Sequence, residues 1–113
     1  MRQILHGDLT AAARVLRTVA PAAREGLLLR MIAEAEVADR YLSRLGRVHP
    51  RFGDGSLMAA ALRRRLRPEP FLSDSDYLCC LGQVIAALLA RRNAPAVFSS
   101  APSFRMMRPP YLV

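Results

Sequence analysis

The sequence predicts an all-α protein: a small bundle of about four helices with a central helical hairpin and a disordered, proline-rich C-terminal tail. Three observations carry that expectation. Apolar residues recur at intervals of three and four rather than in alternation. Helix starts and stops punctuate the chain at Asp8, Pro21, Gly46, Pro68 and Ser73. After residue 93 the composition changes, which divides the chain into a helical domain over 1–93 and a flexible tail over 94–113.

The first helix is expected over about 9–19, with Asp8 as its N-cap. Leu9, Ala12, Leu16 and Val19 fall on one face, and Arg14 and Arg17 lie away from it. Pro21 suits the first position of a second helix, which should run to about Leu45 and stop at Gly46. Along it Leu28, Met31, Ala35, Ala38, Leu42 and Leu45 form a heptad seam, expected to join subunits of a homo-oligomer. An amphipathic helix facing its own core would show the same pattern. Arg30 with Glu34, and Glu36 with Arg40, read as i,i+4 ion pairs on a solvated flank.

A loop with Gly53 and Gly55 leads to a short third helix at about 56–66, ended by Pro68 and Pro70. Ser73 and Asp76 are spaced like a capping box for a fourth helix reaching about Arg92. Leu78, Leu81, Ile85 and Leu88 form its apolar stripe. Beyond it, Pro95, Pro102, Pro109 and Pro110 defeat helix and central strand alike. Phe98, Phe104, Tyr111 and Leu112 in that tail suit docking to a partner protein.

The charge is informative. All 17 basic residues among the 113 are Arg, against nine acidic ones, a net +8. Arginine's planar fork grips phosphate or carboxylate in two places, so the excess points to a polyanion or an acidic protein face. Arg63, Arg64, Arg65 and Arg67, gathered at one helix end, are the candidate nucleic-acid contacts. They would neutralise phosphates without reading bases.

The chemistry of catalysis is poorly represented. With no Lys, a P-loop and Schiff-base catalysis are excluded. Cys79 and Cys80 sit in an apolar helical segment and read as buried, inert thiols. His6 with Asp8, or His49 with Asp54, offers at most part of a metal site. The expectation is a protein that is not an enzyme, with no cofactor and no metal. The apolar runs are too short to span a membrane, and the first residues lack a signal peptide's apolar stretch. A cytoplasmic location is therefore expected.

Several segments resemble a family of short proteins encoded in gene transfer agent clusters beside a packaging ATPase. The resemblance rests on His6-Gly7-Asp8 leading into Ala11-Ala12-Ala13-Arg14, on Ala35-Glu36 with Ala38-Asp39-Arg40-Tyr41, and on Pro68-Glu69-Pro70 with Asp76-Tyr77. Its most distinctive part is His49-Pro50-Arg51 with the run from Gly53 to Leu62. The resemblance implies a small terminase subunit: a non-catalytic DNA-packaging adaptor that oligomerises, binds double-stranded DNA without sequence specificity and recruits the large terminase ATPase. Many small terminases begin with a separate helix-turn-helix domain, for which this chain has no room. Two rival readings stand beside it: a helical interaction or regulatory module with no nucleic-acid partner, and a dimeric nucleoid-type DNA binder.

Overall fold

A computed structural model describes residues 2–92. They form four helices, α1 (His6–Leu16), α2 (Pro21–Leu45), α3 (Leu57–Leu62) and α4 (Ser75–Arg92), and no strand. The expected tail residues Phe98, Phe104, Tyr111 and Leu112 lie outside the described residues.

Helix α1 is the centre of the bundle and packs against each of the other three. The reason is its small side chains. Ala11, Ala12 and Ala13 are buried together with Val15 and Leu16, so neighbours approach α1 from several sides rather than along one stripe. Around it the core takes Leu28, Met31 and Ile32 from α2, Leu57, Ala60 and Ala61 from α3, and Tyr77, Cys80, Val84 and Leu88 from α4.

α1 starts earlier than the sequence suggests, and Asp8 is its third helical residue rather than its N-cap. The carboxylate is buried and serves two helices at once. One oxygen accepts the Leu5 N–H at 2.6 Å, and the other accepts the Met58 N–H at the start of α3 at 2.9 Å. α2 has the expected limits, with Pro21 in its first turn and Gly46 ending it at φ 70°, where a left-handed residue is needed. α3 is shorter than expected and is capped by Ser56, whose hydroxyl accepts from the Ala59 N–H. For α4 the cap is Asp74, whose carboxylate accepts the Tyr77 N–H, and not Ser73.

The loop from α2 to α3 folds back tightly. Gly55 has φ 93°, and a Cβ there would sit 2.9 Å from the backbone of Asp39, so only glycine lets the loop lie against α2. Within the loop, His49 Nδ1 accepts the N–H groups of Arg51 and Phe52, and its ring stacks on Phe52 and meets Tyr41 edge-on.

Arg24 locks three helices together. Its Nε donates to the Leu16 and Val19 carbonyls at the end of α1, and its two terminal nitrogens grip the Asp76 carboxylate at 2.8 and 3.1 Å. Arg17 lies 3.6 Å from the same carboxylate. Held by Arg24 first and Arg17 second, Asp76 titrates below the ordinary aspartate range.

That lock fixes how α4 is rotated. The buried stripe is Tyr77, Cys80, Val84 and Leu88, while Leu78 and Ile85 of the expected stripe are exposed and Leu81 is half-buried. Tyr77 can enter the core because its hydroxyl donates to Glu69 at 3.1 Å. Burial, with that carboxylate beside it, pushes the phenol up. Cys80 is buried as expected and its thiol is pushed up by burial, but Cys79 faces outward.

Candidate nucleic-acid interface

The four arginines expected to meet DNA divide into two pairs. Arg63 and Arg64 both turn to Glu34 on α2: Arg63 donates to it at 2.7 Å, and Arg64 grips both carboxylate oxygens at 2.8 and 2.9 Å. Arg64 also donates to the Ala60 carbonyl, an otherwise open acceptor at the end of α3. The Arg63 guanidinium lies 5.0 Å over the Phe52 ring. These two residues tie α3 to α2 and are poorly placed to reach a phosphate. Arg65 and Arg67 are exposed, and their side chains have no partner among the described residues.

Glu34 responds to this grip. Hydrogen bonding from Arg64, with the charge of Arg63 beside it, holds its carboxyl below the ordinary glutamate range. The expected ion pairs along α2 do not form, because tertiary partners claim both acids. Glu34 goes to Arg63 and Arg64, and Glu36 goes to Arg91 of α4. A bidentate guanidinium from a packed neighbour outcompetes a one-turn contact between two flexible side chains.

The same demand reaches almost every acid in the molecule. Asp8 holds two backbone N–H groups, Asp54 pairs with Arg2, Glu69 takes the Tyr77 hydroxyl, and Asp76 takes Arg24. Asp39 is engaged as well. The acids are spent inside the fold, and the arginines in excess are left on its surface.

Their densest group is one the sequence reading missed. Arg40 and Arg44, one turn apart at the C-terminal end of α2, and Arg47, just past Gly46, are all exposed and without a partner among the described residues. A shallow groove there is lined by Val37, Arg40, Tyr41, Arg44 and Leu45. From Arg40 to Arg44 the helix rises about 6 Å, which sets two guanidinium groups along one side of the groove. The spacing was visible in the sequence. What hid the group was the assumption that neighbouring acids neutralise it.

The seam assigned to subunit contact is mostly occupied. Leu28, Met31, Ala35 and Ala38 are fully buried within this chain, because they are the face that α2 turns inward, and they are not available to a second copy. Leu42 is half-buried, and only Leu45 is freely exposed. α3 is no recognition helix: Leu57, Ala60 and Ala61 hold its six residues against the core. No helix among the described residues is long and apolar enough to cross a membrane.

Comparison with known proteins returns one family. The family model described as Domain of unknown function (DUF7742) matches residues 2–88. No curated protein and no solved structure matches the chain.

Proposed function

The chain belongs to the DUF7742 family, and we propose that it is a non-catalytic DNA-packaging adaptor that binds double-stranded DNA weakly, without sequence preference, and recruits a packaging ATPase. One observation carries the DNA half of this reading. The acids are consumed by internal contacts, while Arg40, Arg44, Arg47, Arg65 and Arg67 stay open to solvent. Such a surface attracts a polyanion through its charge. The open arginines carry charge and no base-reading pattern, so the surface grips the backbone and ignores the bases. The resemblance to gene transfer agent proteins narrows a general DNA binder to a packaging adaptor. A protein that loads DNA of any sequence has use for such a grip.

The test is a titration of unrelated duplexes at low and physiological salt. Equal affinities across sequences, falling steeply as salt rises by about 0.9 log units per phosphate neutralised and decade of salt, are expected. A strong preference for one sequence, or no binding at low salt, contradicts the reading.

A second reading draws on the groove beside the open arginines. Val37, Tyr41 and Leu45 give it an apolar floor between Arg40 and Arg44, which suits an acidic amphipathic peptide. Under that reading the chain is a helical interaction module, and the low-salt titration shows no binding to duplex.

A further inference from the structure

Opposite its buried stripe, α4 carries a second apolar line. Leu78, Gly82, Ile85 and Leu89 are spaced four, three and four, the spacing of a coiled-coil seam. Leu78, Ile85 and Leu89 are 49%, 43% and 53% exposed, and a Cβ built on Gly82 would meet nothing within 4 Å. At about 100° per residue this line runs about 125° around the helix from Tyr77, Cys80, Val84 and Leu88. It is a helix-packing face that no helix among the described residues covers.

We propose that this face pairs antiparallel with the same face of a second copy of the chain, across a two-fold axis between Gln83 and Val84. The line is centred on the middle of α4, so antiparallel pairing sets Leu78 of one copy against Leu89 of the other. It sets Gly82 against Ile85, small against large, on both sides of the axis. The charges demand the same direction. Asp74 caps the start of α4 and Arg92 ends it, so the antiparallel arrangement brings each acidic start to an open basic end. A parallel arrangement would put like charges and like helix-dipole ends together. Arg92 has no partner among the described residues. The contact is self-complementary and closes at two copies.

This inference is independent of the DNA reading, and it replaces the α2 seam with a surface left open among the described residues. The face is one helix wide, at the small end of specific interfaces, so the dimer dissociates on dilution.

Sedimentation equilibrium of the full chain over a range of concentrations reads this directly. The mass is expected to climb from 12.5 kDa to twice that value. Ile85→Arg, at the seam's centre, is expected to stay monomeric where the parent chain is dimeric, with an unchanged helical circular dichroism spectrum. Leu89→Arg serves the same purpose should Ile85→Arg lose its fold, and Leu29→Arg on the exposed flank of α2 leaves the dimer intact. Direction is read by cross-linking in a Cys79→Ser background. Leu78→Cys combined with Leu89→Cys oxidises to a covalent dimer, and Leu78→Cys alone does not. A parent chain that is monomeric up to its solubility limit, because its own C-terminal segment or another protein covers the face, overturns the proposal. So does a dimer that survives both arginine variants, or one that cross-links through Leu78→Cys alone.

Discussion

Two groups of arginines on α2 and α3 have the same chemistry and opposite circumstances. Arg63 and Arg64 close on Glu34 and fix the end of α3, and Arg63 also lies over Phe52 of the loop. Arg40, Arg44 and Arg47 project from the end of α2 with no acid left to meet them. The difference is set by supply. Nine acids face 17 arginines, and the tertiary contacts of the bundle take nearly all of the acids. An arginine's role here follows from whether the fold brings it a carboxylate, and local sequence does not reveal that.

The comparison breaks most visibly where a paired arginine is removed from the interior. Arg24→Ala removes the side-chain donor to the Leu16 and Val19 carbonyls and leaves Asp76 with Arg17 alone, and is expected to cost about 3 kcal/mol, measured as a lower urea midpoint with an unchanged slope. A loss well below 1 kcal/mol would show that α1, α2 and α4 do not depend on that lock.

Glu34→Gln sharpens the contrast from the acid side. Weakening the grip on Arg63 and Arg64 is expected to cost about 1–2 kcal/mol of stability. Because it adds positive charge and loosens two arginines, DNA affinity stays level or rises. A fall in affinity with the fold intact would mean that Glu34 shapes the binding surface itself.

A smaller effect appears with pH. Both Glu34 and Asp76 have folded-state carboxyls held below their ordinary range, so the unfolded chain binds protons first. Their contribution is complete above the unfolded carboxylate range and is lost as pH falls through the lowered folded values. Unfolding midpoints measured from pH 6 down to pH 3 should drop, and drop less steeply in Glu34→Gln combined with Asp76→Asn. Parallel curves for parent and variant would argue against the two pairs.

Much of the fold was legible because it is written locally. Pro21 and Gly46 bracket α2 by fixed backbone preferences, and the third and fourth helices were placed close to their true positions. The rotation of α4 was not legible. It has two apolar lines, and periodicity cannot say which one turns inward. The choice is made by Arg24 reaching Asp76, 52 residues away, and by Glu69 receiving the Tyr77 hydroxyl. The arginine surface was hidden for the same reason. Glu34 and Glu36 look like partners for Arg30 and Arg40 until the tertiary structure takes them elsewhere.

One pair of titrations tests the division of the arginines most directly: Arg40, Arg44 and Arg47 replaced together by Ala, against Arg63 and Arg64 replaced together, with the same duplex over a salt series. The α2 variant is expected to keep its stability, lose affinity about tenfold or more at low salt, and show a salt slope shallower by about three. The α3 variant is expected to lose stability and, while folded, to bind with a slope close to that of the parent. The reverse result, with affinity and slope following Arg63 and Arg64 and indifferent to Arg40, Arg44 and Arg47, would contradict the account.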